Sequence, residues 1–218
     1  MGKPITVTLA LMSTLLLSAC GTSNSAKKQV DHHFDSQKTA AEYKHDREAE
    51  GINLANFNRI NIGDITDAAY GSSEDQVLKL FGTPSHVDTV TVNGVTKKTT
   101  QYTWKDVSAT FPVAKVKVQF LNHKAVGKSY TPAAKRQQRI TAKSKINQLG
   151  LGTTYQAAIN ALGTPNGQSI IGQGPMSAKY LLYVTDKNGT AYDLTFTDDK
   201  LNNKFKTSIY CGCTCPNI

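Results

Sequence analysis

The sequence lacks the motifs that usually identify an enzyme. It contains no Gly-x-Ser-x-Gly elbow to present a nucleophilic serine and no His-Glu-x-x-His helix to hold a catalytic zinc. Gly127-Lys128-Ser129 resembles the end of a phosphate-binding loop, but Asn122 stands where that loop requires glycine. We therefore predict that the protein is not an enzyme and has no cofactor.

Acidic residues are also scarce, and this sets the charge of the chain. Its 218 residues include 25 Lys and Arg but only 16 Asp and Glu, a formal net charge of +9. Basic and aromatic residues are not interleaved, which argues against nucleic acid as a partner. Anionic lipid headgroups or wall polymers are the alternatives that this charge favours. The densest basic run, between residues 135 and 145, is either a solvated linker or a polyanion contact.

The one strongly apolar stretch lies at the N-terminus and is too short for a permanent membrane span. Lys3 precedes an apolar or weakly polar run at residues 5–17, as in an export signal. The next residues, Leu17-Ser18-Ala19-Cys20, resemble the bacterial lipobox, in which the cysteine is lipidated and the signal is cut before it. We expect a signal peptide at 1–19, cleavage between Ala19 and Cys20, and a membrane anchor on Cys20.

Residues 20–51 are poor in large apolar side chains, and we interpret them as a polar tether. Loss of Lys3 with the signal lowers the net charge by one, so the mature chain carries +8. The protein is therefore expected outside the cytoplasm, attached by lipid to the outer face of a bacterial membrane.

The remaining sequence contains a repeat. The motif Leu-Phe-Gly-Thr-Pro at 80–84 recurs as Ala-Leu-Gly-Thr-Pro at 161–165, an offset of 81 residues. Each motif ends a short amphipathic helix, for which we predict Ser72 or Thr153 as the N-cap and Gly82 or Gly163 as the left-handed stop. Strand patterns with Asn-Gly turns follow both helices.

These patterns predict an α+β fold of two tandem repeats, each with two short helices packed on a small antiparallel β-sheet. The repeats are assigned to 52–131 and 144–210, joined by a basic linker at 132–143. In Tyr180-Leu181-Leu182-Tyr183-Val184 every residue is apolar or aromatic, so both faces of this strand need cover. We expect Leu181 and Tyr183 to point away from the helices, either onto the other repeat or towards a docking partner.

Residues 211–218 form a tail with three cysteines at alternate positions, Cys211, Cys213 and Cys215. Thiols could bind Cu(I) or Zn(II), but metal sites more often use Cys-x-x-Cys, and a bridge between residues two apart would be strained. We predict no metal site, with these cysteines as a remote alternative.

The order Ile-x-x-Leu-x-Leu-Gly, a short helix, Leu-Gly-Thr-Pro and then strands resembles the small protein A family of outer-membrane lipoproteins (BamE-like). It also resembles the β-lactamase inhibitory protein, itself a tandem of such modules. The likeness covers roughly residues 54–209. It implies protein binding through the sheet or its loops without catalysis, and the tandem form is closer to lipoproteins of Gram-positive envelopes.

The predicted function is therefore that of a lipid-anchored binding or scaffolding lipoprotein at the bacterial cell envelope, acting on a protein partner. The alternatives are an inhibitor of a secreted enzyme such as a β-lactamase and, more remotely, a metal-binding lipoprotein that uses the terminal cysteines.

Overall fold

The structure, a computed structural model, describes residues 51–91, 98–105, 107, 111–134 and 136–210. The described residues form helices and strands in an order that occurs twice. The N-terminal half contains α1 (Leu54–Arg59), α2 (Glu74–Phe81), β1 (His86–Thr91), β2 (Lys98–Lys105), β3 (Val113–Leu121) and β4 (Lys124–Pro132). The C-terminal half contains α3 (Lys143–Gln148), α4 (Tyr155–Leu162), β5 (Gly167–Ile171), β6 (Ala178–Val184), β7 (Thr190–Thr197) and β8 (Lys200–Ser208).

All eight strands belong to one antiparallel sheet in the order β1 to β8. The prediction of a separate small sheet in each repeat is therefore wrong: this is a mixed fold dominated by a single sheet. The two halves are joined edge to edge, because β4 pairs with β5 from Gly127 opposite Ile171 to Tyr130 opposite Gln168. This pairing satisfies the backbone groups that would otherwise be exposed on two edge strands.

Both helix pairs lie on the same face of the sheet. In the N-terminal half, Phe57 and Val77 from the helices pack with Trp104 and Tyr130 from the strands, all at most 2% exposed. In the C-terminal half, residues from α3 and α4 form a second core with Leu181, Tyr183, Leu194 and Phe196. Strand register connects the two cores, since Tyr130 lies opposite Gln168 and Gln168 opposite Leu181. Paired residues of an antiparallel sheet point to one face.

The starts and stops of α2 and α4 follow the repeated motif. Gly82 and Gly163 end these helices with φ of 73° and 77°, so the predicted glycine stops are confirmed, but ψ is −164° at both residues and the backbone is therefore not in the αL conformation that was expected. The predicted N-caps are wrong by one residue, because Ser73 and Thr154 accept the capping hydrogen bonds. The Ser72 hydroxyl instead accepts a hydrogen bond from the Asn61 amide at 2.9 Å.

Strand side chains hold the C-terminal ends of the helices at equivalent places in the two halves. The Trp104 indole donates a hydrogen bond of 2.9 Å to the carbonyl of Gly82, the residue that follows α2. The Tyr183 hydroxyl donates one of the same length to the carbonyl of Gly163, which follows α4. The Lys128 ammonium donates to the Phe57 and Ile60 carbonyls at 2.9 and 2.8 Å. Lys204 donates to the Ile146 and Leu149 carbonyls at 3.3 and 2.8 Å.

Lys128 and Lys204 differ in their access to solvent, and this difference is testable. Lys128 is 8% exposed, and burial lowers its pKa to about 8, whereas Lys204 is half-buried on the edge strand. We expect Lys128→Met to lower the free energy of unfolding by about 2 kcal/mol, because two buried carbonyls lose their donor. Water can replace the ammonium of Lys204, so Lys204→Met should cost about half as much or less. Urea unfolding followed by circular dichroism measures both, and equal losses would contradict this account.

Candidate partner-binding surface

The face of the sheet opposite the described helices is called here the helix-free face. Because side chains alternate between the two faces of a sheet, every second residue of each strand lies on this face. The strand register aligns these residues in rows that cross both halves. The central row runs from β2 to β8 through Thr103, Lys117, Ser129, Ser169, Tyr180, Thr195 and Asn203. A neighbouring row in the C-terminal half contains Leu182, Asp193 and Phe205. One continuous surface therefore extends over the junction between the halves.

Small residues create a shallow depression where β4 meets β5. The residues that line it include Gly127, Ser129 and Ser169 together with Gln101, Lys117, Gln119 and Ile171. A Cβ on Gly127 would come within 3.0 Å of the Gln119 side-chain oxygen, so the strand approaches that side chain closely. The depression belongs to both halves, because its lining comes from β2, β3, β4 and β5.

Hydrogen-bond acceptors without partners are concentrated on the helix-free face. Within the described part of the chain, four buried side-chain oxygens have no hydrogen-bond partner, and three of them lie on this face: Gln119 Oε1, Thr131 Oγ1 and Asp193 Oδ1. Gln119 does donate to Gln101 Oε1 at 3.3 Å, so its amide is oriented while its own oxygen stays unpaired. Buried polar atoms are normally satisfied, so three unsatisfied acceptors on one face are unusual.

Asp193 is the most unusual of these residues. Its strand neighbours on the same face are Leu182 on one side and Phe205 on the other, so the carboxyl group lies between apolar side chains. Burial raises its pKa to about 6, because little solvent stabilises the charged form. Burial, and to a lesser degree the charge of Asp193, raise the pKa of Tyr180 to about 12. The carboxyl group can therefore ionise near neutral pH. Burial makes the charged form unfavourable, and a nearby cationic donor would offset that desolvation cost.

The N-terminal part of the helix-free face is basic. Lys105 and Lys115 are paired across β2 and β3, and Lys117 follows two residues along β3. Burial first, and the nearby Lys115 second, lower the pKa of Lys117, while Asp88 opposes the shift. The face thus carries positive charge at one end and, at the other, a carboxyl group whose Oδ1 has no hydrogen-bond partner.

Leu181 and Tyr183 do not lie on this surface. Both have 0% exposure and pack in the core beneath α3 and α4, so their prediction as a docking patch away from the helices is wrong. Residues 180–184 of β6 are all apolar or aromatic, so composition does not say which set of alternate residues faces the helices. Register decides it, since Leu181 lies opposite Leu194 and Tyr183 opposite Tyr192. The other set includes Tyr180 and Leu182, which lie on the helix-free face.

Two arginines of the basic run at residues 135–145 donate hydrogen bonds to backbone carbonyls of the fold. Arg139 donates to the Leu162 carbonyl at 2.8 Å and to the Thr164 carbonyl at 2.6 Å, just beyond α4. Arg136 donates to the Val107 carbonyl at 3.4 Å. These two guanidinium groups therefore tie the connection between the halves to both of them. Gly127-Lys128-Ser129 lies within β4, where the Lys128 ammonium binds backbone carbonyls rather than a phosphate.

Several predicted sites lie outside the described residues, namely Ala19, Cys20, Cys211, Cys213 and Cys215. Among residues that are described, no group of three or more His, Cys, Asp or Glu could hold a metal ion. No helix in the described ranges is long and apolar enough to cross a bilayer.

Sequence reasoning missed Asp193 as a candidate. The signal that could have found it was the alternation in Tyr192-Asp193-Leu194-Thr195-Phe196, which places an acidic residue on the face opposite the core. The sequence does not show that Asp193 Oδ1 is buried without a hydrogen-bond partner, because this depends on strand register.

The fold is similar to that of a protein from Streptococcus mutans solved as a "putative beta-lactamase inhibitor protein". The two chains are 21% identical, with a TM-score of 0.54, and the match covers 73% of this chain and 99% of the other. This likeness supports the β-lactamase-inhibitory-protein resemblance at the level of the fold alone. The resemblance to the small protein A lipoproteins stays a prediction.

No match is found among curated proteins. Residues 48–209 match the model of the family described as "Domain of Unknown Function with solved-structure structure (DUF3862)". These residues include all four helices and all eight strands of the described structure. Because the match spans most of the chain, the protein belongs to the DUF3862 family.

Proposed function

We propose that the protein is a non-enzymatic binding lipoprotein of the bacterial cell envelope, which docks a protein partner on its helix-free face. The observation that carries the proposal is the set of unpartnered acceptors on that face: Gln119 Oε1, Thr131 Oγ1 and Asp193 Oδ1. A partner that donates hydrogen bonds to them removes the cost of leaving buried polar atoms unpaired.

The chemistry around Asp193 specifies part of the partner. Leu182 and Phe205 are the cross-strand neighbours of Asp193 on this face, and Tyr180 lies diagonally across from it on β6. A lysine or arginine side chain fits this site, because its charged group pairs with the carboxylate while its methylene stem contacts the apolar neighbours. We infer that the partner inserts a basic side chain here.

The proposed location depends on the N-terminal sequence. The lipobox resemblance at 17–20 supports cleavage at Ala19, lipidation of Cys20 and attachment to the outer face of the cell membrane. A tether of about 30 residues between the anchor and the folded part could reach well beyond the headgroups, since a flexible chain of this length spans roughly 30 Å. The sheet would then meet partners at the cell surface rather than lipid.

We also infer that the two halves are copies of one module. Three features support this: the repeated order of elements, the equivalent caps at Ser73 and Thr154, and the lysines that close the first helix of each half. The boundaries 52–131 and 144–210 stay a prediction.

A second candidate function is inhibition of a secreted enzyme such as a β-lactamase. The Streptococcus mutans structure, described as a "putative beta-lactamase inhibitor protein", favours it through the shared fold. An inhibitor is itself a protein-binding protein, so this candidate narrows the first proposal to a particular kind of partner.

The docking proposal predicts that neutralising Asp193 weakens partner binding. Crosslinking in native membranes, followed by quantitative mass spectrometry, should recover the partner with wild type and lose it with Cys20→Ala. With Asp193→Asn, recovery should fall at least about tenfold, because a buried charged contact is lost. Asp198→Asn is the matched control: it removes one exposed carboxylate in the β7–β8 turn, at a positive φ of 48° that asparagine tolerates. Equal recovery of the partner with Asp193→Asn and Asp198→Asn would contradict the proposal.

The raised pKa of Asp193 predicts a stability effect with a defined sign. The folded state holds a proton on this group up to a pKa of about 6, above the usual value of about 3.9 for the unfolded chain. The folded state therefore binds more protons between pH 4 and 6, and the stability of the free protein falls as pH rises through that window. Asp193→Asn should raise the free energy of unfolding by about 1–2 kcal/mol at pH 7 and by less at pH 4. Thermal unfolding at the two pH values checks this, and a gain that is larger at pH 4 would contradict it.

Inhibition predicts that the purified mature chain slows a β-lactamase in a concentration-dependent way. Nitrocefin hydrolysis by class A enzymes measures it, with Asp193→Asn as the weakened variant and Asp198→Asn as the control. If no enzyme is slowed while the membrane partner is still recovered, the protein binds its partner without this inhibitory role.

A further inference from the structure

Three lysine side chains form a cluster on the helix-free face of the N-terminal half. Lys105 of β2 lies directly opposite Lys115 of β3, and Lys117 follows two residues further along β3, so all three side chains lie on this face. Lys105 is exposed, whereas Lys115 and Lys117 are half-buried. Like charges that lie directly opposite one another in a sheet destabilise it. The fold therefore keeps a charge arrangement here that it does not need for its own stability.

The electrostatics of Lys117 show that the charges of this lysine cluster act on one another. Burial first, and the positive charge of Lys115 second, lower the pKa of Lys117, while Asp88 of β1 opposes the shift. The Asp88 carboxylate also contacts His86 Nε2 at 2.7 Å. Among the described residues of β1, β2 and β3 on this face, the three lysines are accompanied by one carboxylate. The excess of positive charge favours an anionic group on the molecule that docks here.

The lysine cluster and Asp193 lie at a distance that suits a protein surface. The central row that contains Lys117 reaches β7 at Thr195, two residues from Asp193. From β3 to β7 there are four strand spacings of about 4.8 Å each, so the two charged sites are about 19 Å apart along the sheet. A small ion cannot contact both sites, whereas one face of a protein partner can.

Short side chains lie between the two charged sites. Ser129 and Ser169 are paired where β4 meets β5, and together with Gly127 they line the depression at this junction. A partner that contacts the lysine cluster and Asp193 can therefore cross the junction while it stays in contact with the sheet.

We propose that the partner docked on the helix-free face presents an acidic side chain to Lys105, Lys115 and Lys117, in addition to the basic side chain that it inserts beside Asp193. This inference rests on the docking proposal and adds a second contact to it. Opposite charges at the two ends determine how the partner is oriented, because the reversed orientation would bring like charges together at both sites. The lysine cluster is thus a specificity-determining part of the surface.

A carbodiimide tests the second contact, because it joins a lysine to a carboxylate, with loss of water, where the two groups touch. The full-length protein is treated in native membranes, and the linked peptides are identified by mass spectrometry. We expect links from the lysine cluster to an aspartate or glutamate of the partner. The double variant Lys115→Gln/Lys117→Gln should lower recovery of the partner at least about fivefold. Lys79→Gln/Lys143→Gln is the matched control, which removes two exposed lysines from α2 and α3 on the other face and should leave recovery unchanged.

Two further measurements keep the result interpretable. Lys179 Nζ and Asp199 Oδ1 are 2.7 Å apart within the chain, so a link between them should form in every sample and shows that the reagent has reacted. The double variant should be at least as stable as wild type in urea unfolding, because it removes repulsion from Lys105. A double variant that is less stable than wild type would contradict the repulsion on which the inference depends.

Links from the lysine cluster to a carboxylate of the partner, with recovery reduced in the double variant and not in the control, would support the inference. Equal recovery with the double variant and the control would overturn it, as would links through other lysines alone. If Asp193→Asn still loses the partner in that case, the docking proposal stands and only the second contact fails. Recovery of no protein by wild type, with the lysine cluster binding a purified anionic wall polymer instead, would contradict both proposals.

Discussion

The structure depends on donors from the sheet reaching the carbonyl ends of very short helices. The helices have six or eight residues, too few to be stable alone, and each leaves carbonyls without intrahelical partners. Lys128 and Lys204 satisfy those of the first helix in each half, and Trp104 and Tyr183 satisfy the glycine carbonyl after the second. These contacts fix the helices to one face, and the opposite face is consequently left without a described helix.

The repeat, the second helix of each half and its glycine stop were predictable from the sequence, because they depend on local chemistry. Glycine at positive φ, a hydroxyl cap and proline after the helix act within a few residues. The cap was misplaced by one residue because Ser72 and Ser73, like Thr153 and Thr154, are adjacent and chemically equivalent. Only the close approach of Gly71 to the Ala125 backbone, together with the Ser72 bond to Asn61, shows which hydroxyl is free to cap.

The surface chemistry was not predictable, because it depends on contacts between distant strands. The sequence predicted two separate sheets, but the pairing of β4 with β5 makes them a single sheet. Neither strand's own sequence specifies the other strand as its neighbour. The same register moved Leu181 and Tyr183 into the core and Tyr180 and Leu182 to the opposite face. A one-residue change in register exchanges the two faces of a strand, so an apolar strand cannot be oriented without its neighbours.

The β4–β5 junction also has consequences for binding. Gly127, Ser129, Gly167 and Ser169 place little side-chain volume on the helix-free face where the halves meet. Glycine weakens a strand interior, so its presence here calls for a compensating reason. Close packing accounts for it: a Cβ on Gly167 would approach Pro132 at 3.1 Å and Leu182 at 3.2 Å. The same small residues leave a depression bordered by Gln119 in one half and continuous with the row that contains Asp193 in the other. A partner seated over the junction would therefore contact both halves at once, and its affinity would depend on the pairing of β4 with β5 as well as on the residues it touches.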